Sequence, residues 1–375
     1  MMALDGIKVL DLTRVLAGPF CTMLLADMGA EVIKIEKAET GDDSRAFGPF
    51  VGEESLYFSS INRNKKSVEL NLKNQTDKDN FLNLVKEVDV VVENFRPGTM
   101  EKLGLGYENL KKINPQIIYA AASGFGQTGP YSQRPAYDLI IQAMGGIMSI
   151  TGQENGMPTK AGPSISDITA GIYTALGVVT ALFHRQRTGE GQMVDVSMLD
   201  CQISILENAI SRYQAAGQDP MPIGNRHPTI TPFSMFETKD NYIVIAVGNE
   251  KLWEEFCRVI GKNELIQDER FADNRRRTEN IQELENILNS IFKEKSTRDW
   301  LKILEENNIP CSPVNKISDL IKDEHVKARQ IIEEIDHPEL GKFLMPGLPI
   351  KFSKTPGTIR KPAPELGENN REYGL

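Results

Sequence analysis

The chain has 375 residues, of which 40% are hydrophobic and 25% charged, and its formal net charge at pH 7 is −9. This length allows two domains with a sizeable core, and the acidic balance excludes a general nucleic-acid binder while leaving room for local basic spots that hold a small anion. The scattered cysteines predict reduced thiols in the cytoplasm, and the scattered histidines predict no metal site. No signal peptide is visible in the sequence, and no uncharged apolar run approaches the roughly 20 residues that a membrane span needs.

The first 36 residues predict a strand, a helix and a second strand. Residues 7–10 have a strand pattern, Ala17-Gly18-Pro19 form a turn, residues 20–28 are helical up to Gly29, and residues 32–35 form the next strand. A βαβ unit of this kind predicts a parallel sheet with helices on its faces. Because the unit lacks GxGxxG, a nicotinamide or flavin site is not favoured.

A second α/β unit follows, with a helix at 77–86 and apolar strands at 88–92 and 116–120. Apolar runs of this length suit strands that are buried on both faces. Glycines at 124, 126 and 129 predict a loop at the end of the last strand, where open α/β sheets bind ligands. The same glycines would also serve a tight connection that needs positive φ angles.

Asp167 lies where a loop containing Gly162 and Pro163 meets a long apolar helical stretch at 168–185. The dipole of that helix is expected to hold the carboxylate in its ionised form, and an ionised, fixed carboxylate can attack an activated acyl group. The plainer interpretation is a helix cap, because Ser164 and Asp167 have capping-box spacing. The local pattern alone favours the cap.

The pattern changes after about residue 200. Residues 202–216 predict a helix before a proline-rich link, residues 233–247 predict a hairpin, and a later helix is predicted to be capped by Ser296 with Asp299 at its third position. The many prolines after residue 337 favour extended chain. The predicted division is a large domain over 1–200, a linker over 201–230, a small α/β domain over 231–310, a linker over 311–335 and a C-terminal segment over 336–375.

Several blocks of sequence resemble the family III CoA-transferases, which include formyl-CoA transferase and carnitine CoA-transferase. The blocks include VENFRPG at 92–98, GFGQTGP at 124–130 and APELGE at 363–368, with further matches at 11–36, 187–198 and 224–228. Each block alone is a weak signal, but they run in the family's order over essentially the whole chain. Asp167 falls where the family has its catalytic aspartate.

The resemblance implies a Rossmann-like, discontinuous large domain to which residues 336–375 return, and a homodimer of ring-shaped, interlinked subunits. It also implies an enzyme that moves CoA from an acyl-CoA donor to a carboxylic acid through an aspartyl-CoA thioester on Asp167, with no need for ATP or metal. Tyr137 would orient the intermediate or donate a hydrogen bond to an oxyanion. Backbone amides of Gly224 and Asn225 are the other candidate donors.

Residues that match the family's CoA contacts include basic and aromatic side chains. Lysine and arginine suit the phosphates by charge, and a phenylalanine suits packing against adenine. Without the resemblance, each lysine would be interpreted as a solvated surface charge. The matching positions are Leu16, Lys37, Leu70 to Lys73, Asn94, Phe95, Arg96 and Lys102.

Two departures from formyl-CoA transferase bear on the substrate. Leu16 replaces a glutamine, and the family's glycine-run loop is replaced by Gly224-Asn225-Arg226-His227. Leu16 suits a less polar acyl group, which predicts a dicarboxylate or a branched or unsaturated acid rather than formate and oxalate. Arg226 or His227 would bind a substrate carboxylate, or either would be a structural hydrogen-bond donor.

The competing function is that of an alpha-methylacyl-CoA racemase, which shares the fold and much of the N-terminal motif. Racemisation needs an acid and a base on opposite faces of the substrate. The racemases have a His-Asp pair where this chain has Tyr137-Asp138, and the tyrosine resembles the transferases. A catalytically silent CoA-binding protein is the third alternative, and the retained Asp167 argues against it.

Overall fold

A computed structural model describes residues 1–338 and 341–375. The strands are β1 Lys8–Asp11, β2 Glu31–Glu36, β3 Phe50–Val51, β4 Glu54–Ser55, β5 Lys65–Glu69, β6 Val90–Glu93, β7 Ile118–Ser123, β8 Met193–Ser197, β9 Phe233–Glu237, β10 Tyr242–Ala246, β11 Cys311–Pro313, β12 Ile332–His337 and β13 Gly341–Pro346.

The helices are α1 Ala17–Asp27, α2 Leu56–Ile61, α3 Gln75–Val85, α4 Thr99–Leu103, α5 Tyr107–Ile113, α6 Asp138–Met144, α7 Ile147–Ile150, α8 Ile165–Thr188, α9 Met198–Ser204, α10 Ala209–Ala216, α11 Glu250–Val259, α12 Glu264–Gln267, α13 Asn274–Glu279, α14 Ile281–Phe292, α15 Thr297–Glu306, α16 Ile317–Leu320 and α17 Glu324–Ala328. Single 3₁₀ turns lie at Asp43–Ala46 and Asn370–Tyr373.

The chain divides into two compact units. The large unit contains Met1–Met148, Lys160–Gln218 and Glu324–Leu375, and the small unit contains Ser149–Thr159 and Asp219–Asp323. Residues 149–159, which the sequence prediction left inside the large domain, cluster with the small unit. A hydrogen bond from the Gly224 amide to the Gly152 carbonyl oxygen, 2.9 Å long, ties this segment to the chain beyond residue 219.

The large unit is built on a six-stranded parallel sheet with the order β5-β2-β1-β6-β7-β8. With its strands counted along the chain, this is the doubly wound order 3-2-1-4-5-6, and in such sheets ligands bind where the order reverses, here between β1 and β6. Successive residues face opposite sides: Val9 packs towards α1 and α8, while Leu10 packs towards α3 and α5. The strands β6 and β7 are buried throughout, as their apolar runs predict.

The first helix differs from its prediction. It begins at Ala17 and runs through Gly18 and Pro19, which the sequence assigned to a turn. Pro19 occupies the third helical position, where a backbone N–H would have no intrahelical partner, so proline loses nothing there. A Cβ on Gly18 would collide with Thr13, so the glycine is what allows the helix to start so close to β1.

The helix predicted over 202–216 is interrupted. It is divided into α9 and α10, and Glu207 between them has a left-handed φ of 55°. A non-glycine residue in that region ends a regular helix.

The C-terminal segment closes one edge of the large sheet. The side chains of Asn369 and Asn370 accept hydrogen bonds from the backbone amides of Ser67 and Glu69, at 3.0 and 2.9 Å. The free edge of β5 is therefore covered by side-chain amides and backbone from the last residues of the chain.

The small unit has its own core on a three-stranded antiparallel sheet, β11-β10-β9. Its central residues include Phe236, Trp253, Phe292 and Trp300, which come from the predicted hairpin and the amphipathic helices after it. The hairpin between β9 and β10 turns at Thr238 to Asn241, as its sequence pattern predicts.

Helix α8 is long and apolar enough to cross a membrane by length and composition alone. Part of its surface, including Ala175 and Val178, is buried in the core beside α1 and the sheet. Gly171 lets it approach closely, because a Cβ there would lie 2.7 Å from the Ala17 carbonyl oxygen. This packing brings the start of α8, with Asp167, beside the start of α1, with Leu16.

Candidate active site

A cavity of about 210 Å³ lies at the carboxyl ends of β1, β6 and β7, where the strand order reverses. Its walls are loops that follow these strands and the start of α8. They comprise residues 14–17, 94–97, 122–124, 132 and 134–137, together with Asp43, Asp167 and Met198. The fold therefore places the cavity where doubly wound sheets bind ligands.

Asp167 is half-buried in this cavity, and its carboxylate accepts no hydrogen bond within residues 1–338 and 341–375. Burial raises the pKa of Asp167 to about 7, and the nearby Asp138 carboxylate raises it further in the same direction. At neutral pH the Asp167 carboxyl group is therefore only partly ionised, whereas the helix dipole alone was expected to hold it in its ionised form. Desolvation and the like charge of Asp138 both favour the protonated form, and no hydrogen bond from the described residues stabilises the ionised one.

The capping box predicted at Ser164 and Asp167 is also not formed. Ser164 is the residue before α8, but its side chain makes no capping hydrogen bond. Asp138 replaces it, since its Oδ1 accepts the Ser166 N–H at 2.9 Å. The Asp138 carboxylate is itself fixed by Gln142, whose Nε2 donates to Oδ2 at 2.7 Å and whose Oε1 accepts the Ala161 N–H at 2.8 Å. Asp167 is consequently left free of any capping role.

The loop between β1 and α1 is held in a strained conformation beside the cavity. Val15 has a left-handed φ of 67°, which is unusual for a β-branched residue. Its N–H donates to Asp42 at 3.1 Å, and Asp42 pairs with the fully buried Lys34 at 2.8 Å. Asn94 accepts the Arg14 N–H at 2.9 Å and donates to the Arg14 carbonyl oxygen at 2.8 Å. These contacts fix the position of Leu16 on the cavity wall.

Tyr137 lines the cavity next to Asp138 and is 74% exposed in the single chain. A second tyrosine, Tyr57, was missed by the sequence prediction. Burial raises the pKa of Tyr57 to about 12, and the charges of Asp167, Asp42 and Asp138 raise it as well. The Tyr57 phenol therefore lies close enough to Asp167 and Asp138 to be influenced by the negative charge of both carboxylates. Nothing in its local sequence marks it, because α2 brings it there only in the folded chain.

Glu93 is another residue that the sequence did not single out. It ends β6, is 4% exposed, and accepts the Phe95 N–H at 2.7 Å. Burial raises its pKa to about 8, so it is mostly protonated at neutral pH. Its position directly before Asn94 gives the cavity loop a buried anchor.

The residues predicted to bind CoA fall into two groups. Leu16, Asn94, Phe95 and Arg96 line the cavity. Leu70 is buried in the core beneath the sheet, which leaves only its backbone for a ligand. The lysines of this set are exposed and are not among the residues that line the cavity; they are Lys37, Lys73 and Lys102.

The substrate-side candidates Gly224, Asn225, Arg226 and His227 belong to the small unit. Arg226 pairs with Glu154 at 3.1 Å. The His227 Nδ1 accepts the backbone N–H groups of two residues that follow it, Thr229 and Ile230, at 3.2 and 3.0 Å. The His227 ring also stacks on Phe233. These contacts favour a structural role for His227. Among the described residues, no group of three or more His, Cys, Asp or Glu side chains could hold a metal ion.

The sequence is similar to known proteins over almost its whole length. The family model described as CoA-transferase family III matches residues 4–370. The chain is 44% identical to an acetyl-CoA:oxalate CoA-transferase of Acetobacter aceti, over 97% of this chain and 93% of that protein. It is 41% identical to a succinyl-CoA:glutarate CoA-transferase of Mus musculus, over 99% of this chain and 85% of that protein.

A solved structure shows the same architecture. It is that of a CAIB/BAIF family protein from Brucella suis, which is 38% identical and superimposes with a TM-score of 0.87 over 99% of this chain and 98% of its own.

Proposed function

The chain belongs to CoA-transferase family III and is an enzyme that transfers CoA; from this premise we propose that it moves CoA from an acyl-CoA to a free carboxylic acid, with Asp167 as the nucleophile. The observation that carries the proposal is the state of Asp167: a carboxylate freed from capping and half-buried in a cavity at the ligand-binding edge of the sheet. A desolvated carboxylate is a stronger nucleophile than a hydrated one, which suits covalent catalysis.

In the first half of the reaction, an ionised Asp167 oxygen attacks the thioester carbonyl. The C–S bond breaks, CoA leaves as a thiolate, and a mixed anhydride forms between Asp167 and the acyl group. The thiolate then attacks the Asp167 carbonyl of this anhydride. The donor's free acid leaves as a carboxylate, and an aspartyl-CoA thioester remains on the enzyme.

In the second half, the acceptor carboxylate attacks the aspartyl thioester, releases the CoA thiolate and forms a new anhydride. The thiolate attacks the acyl carbonyl of that anhydride, which yields the new acyl-CoA and regenerates the Asp167 carboxylate. No water enters, so the energy of the thioester is conserved in the product.

The surrounding residues are assigned supporting roles. Tyr137 donates a hydrogen bond to the oxyanion that forms at each attack, with the Gly224 and Asn225 amides as the other candidate donors. Asn94, Phe95 and Arg96 hold the CoA moiety, and Leu16 contacts the acyl group. Lys37, Lys73 and Lys102 supply positive charge for phosphates. Asp138 holds the start of α8 and sets the charge beside Asp167.

We propose dicarboxylic acids as the substrate class. The relatives described above carry the names of oxalate and glutarate, which are dicarboxylates, and of succinyl-CoA, whose acyl group has a free second carboxylate; the acetyl-CoA donor in the first name has none. Leu16 favours the longer, less polar members over oxalate and formate, and a panel of acyl-CoA donors against carboxylate acceptors tests that order. Preferred turnover of formyl-CoA with oxalate would contradict the argument from Leu16.

The intermediate is tested by intact mass spectrometry of the enzyme incubated with succinyl-CoA and no acceptor. We expect a mass increase of one CoA less one water, which hydroxylamine removes. Asp167→Ala should show no adduct. Asp167→Asn is a poorer probe, because slow deamidation regenerates the acid.

Asp200→Ala is the matched control. Asp200 also occupies the third position of a helix after a serine, but its N–H is bonded to the Ser197 hydroxyl at 3.2 Å and it does not line the cavity. That variant should form the adduct normally. An adduct that persists in Asp167→Ala would rule out Asp167 as the attachment site.

We further propose that the enzyme is a cytoplasmic homodimer with interlinked subunits. The interlinking comes from the family resemblance, and exposed apolar side chains on α8 support a permanent partner: Leu176 is 58% and Phe183 61% exposed in the single chain. Its four cysteines are free, which fits a reducing compartment. Analytical ultracentrifugation at low protein concentration should show a dimer, and Leu176→Glu should weaken it. A well-folded, active monomer would contradict the proposal.

A further inference from the structure

The backbone of the loop between β1 and α1 is held by buried charged side chains. The Thr13 N–H donates to Asp11 at 2.9 Å, and the Thr13 carbonyl oxygen accepts from the Lys34 ammonium at 2.7 Å. Two residues further on, the Val15 N–H donates to Asp42 at 3.1 Å. All three charged groups are buried. The path of this loop therefore depends on ionised side chains that solvent does not reach.

Asp42 is fixed at both of its carboxylate oxygens and at its backbone. Oδ2 lies 2.8 Å from the Lys34 ammonium, while Oδ1 accepts the N–H groups of Val15 and Ser44 at 3.1 and 2.9 Å. The Asp42 backbone N–H donates to Glu36 at 2.9 Å. Burial alone would raise the pKa of Asp42, but the Lys34 charge outweighs burial and holds that pKa below its usual value. The carboxylate therefore stays ionised at neutral pH, and both oxygens remain acceptors.

The buried pair of Lys34 and Asp42 is poorly explained by stability alone. Removing two charges from water is costly, and apolar side chains of similar size are often at least as stable in such a place. A carboxylate can, however, hold a cation with one oxygen and backbone N–H groups with the other, which an apolar side chain cannot do. The effect that is specific to this pair is therefore on the backbone that it binds.

Val15 is the point where that backbone needs support. Its φ of 67° lies in the left-handed region, which a β-branched residue adopts only when its surroundings impose it. Without the bond to Asp42, Val15 would relax to a negative φ and move Leu16, the residue that follows it. Leu16 and Ala17 line the same cavity as Asp167, whereas Asp42 does not line it. Relaxation at Val15 would therefore change the cavity wall that faces the reacting group.

We propose that Asp42, held by Lys34, is a positioning residue for the transfer: it keeps Val15 in its strained conformation and so keeps Leu16 in place while the acyl group reacts at Asp167. The inference rests on the proposed CoA transfer and adds to it a residue that acts without touching the substrate.

The test is a double-mutant cycle between Asp42 and Val15. Asparagine keeps the shape of Asp42 but offers one acceptor oxygen in place of two, and no charge. Formation of the covalent CoA adduct is followed in single turnovers with succinyl-CoA and no acceptor. Asp42→Asn should lower the rate at saturating donor about 10- to 100-fold, because a small displacement in an active site is costly. The succinyl-CoA concentration that gives half of that rate should change by less than about threefold.

Glycine adopts a left-handed φ without strain, so Val15→Gly should remove the need for Asp42. In the Val15→Gly background, Asp42→Asn should therefore lower the rate by less than about threefold. An equal fall in both backgrounds would overturn the proposal, because Asp42 would then act by a route other than Val15. The pH midpoint of the rate should not move in Asp42→Asn, since burial and Asp138 set the pKa of Asp167. A shifted midpoint would also overturn it, since Asp42 would then act through its charge on Asp167.

Asp27→Asn is the matched control. It breaks an equally buried ion pair, with Arg63 at 2.7 Å, at the other end of α1. The folded variant should lose stability but keep its rate within about threefold of wild type. A fall as large as that of Asp42→Asn would overturn the proposal, because loss of any buried pair would then be enough.

Ser44→Ala decides the question if Asp42→Asn does not fold. The Ser44 hydroxyl donates to Asp42 Oδ1 at 2.8 Å, so its loss loosens the carboxylate and leaves the Lys34 pair intact. We expect a fall of about two- to fivefold that disappears in the Val15→Gly background. An unchanged rate in Ser44→Ala would then overturn the proposal. Absence of an adduct in the wild type would instead contradict the proposed function.

Discussion

The sequence Ser-x-x-Asp occurs at the start of α8 and at the start of α15, with opposite results. At α15, the Ser296 hydroxyl donates to the Asp299 carboxylate at 2.6 Å and accepts the Asp299 N–H at 3.2 Å. At α8, the Ser164 side chain makes no capping bond and Asp167 accepts no hydrogen bond from the described residues. The same four-residue pattern is therefore a helix cap in one place and a free carboxylate in the other.

The difference arises from tertiary contacts. The start of α15 is at the surface, where Asp299 is exposed and only its own helix can use it. At α8, Asp138 takes over the Ser166 N–H, and α1 packs beside the helix. A capping pattern thus shows which hydrogen bonds a residue can form locally, and tertiary contacts determine whether those bonds form.

The largest test of this comparison is the removal of each carboxylate. Asp167→Ala should lower kcat by roughly 10³-fold or more, because no other group can form the covalent intermediate. Asp299→Ala should keep kcat and lose only stability, by about 1 kcal/mol. Steady-state kinetics and thermal melts of the two variants check this. Near-normal activity in Asp167→Ala would make the two sites equivalent.

Tyr137 lines the same cavity as Asp167, and it is the second residue whose replacement should affect catalysis. Tyr137→Phe should lower kcat by roughly tenfold or more if its hydroxyl stabilises an oxyanion. The melting temperature should change little, because the side chain is largely exposed in the single chain. Unchanged kcat at normal stability would leave Tyr137 as a structural residue of the cavity wall.

The pH profile tests the charge that surrounds Asp167. The nucleophile must be ionised, so the rate of the first half-reaction should rise with pH to a plateau, with its midpoint near pH 7. The Asp138 charge contributes to that raised pKa, so Asp138→Asn should move the midpoint to lower pH. Single-turnover rates from pH 5 to 9 measure it. A midpoint that moves upward would show that Asp138 does not act through its charge.

The smallest effect concerns the serines. Ser296→Ala should destabilise the protein by about 1 kcal/mol, because it removes the hydroxyl that accepts the Asp299 N–H and caps α15. Ser164→Ala should leave stability unchanged, since that hydroxyl caps nothing. Urea titrations of both variants provide the comparison, and equal losses would mean that Ser164 does cap α8 in solution.

The sequence predicted the family, which is confirmed, and the parallel strands of the large sheet. Strands β6 and β7 were visible because a run such as Val90 to Val92 must be buried on both faces. Pro19 was misleading, because proline is compatible with the first turn of a helix as well as with a turn. The proposed role of Asp167 comes from the family resemblance, because the local pattern alone favours a helix cap.

The sequence could not show which residues from distant parts of the chain lie next to one another in the fold. The pKa of Asp167 depends on Asp138, which lies on another helix, and Tyr57 reaches the same field from α2. Such relations require the folded chain, and a single sequence without its relatives carries no trace of them. The roles of these residues remain predictions.

Asn369 and Asn370, whose side chains accept hydrogen bonds from β5, are synthesised long after that strand. The strand that they cover emerges some 300 residues before them, as the separations of 302 and 301 residues along the chain show. The edge of β5 therefore stays uncovered in the nascent chain until residues 369 and 370 have been synthesised. During that interval the backbone of β5 is open to strand pairing with other chains. We expect the need for a chaperone to last until residue 370 has emerged and can cover β5.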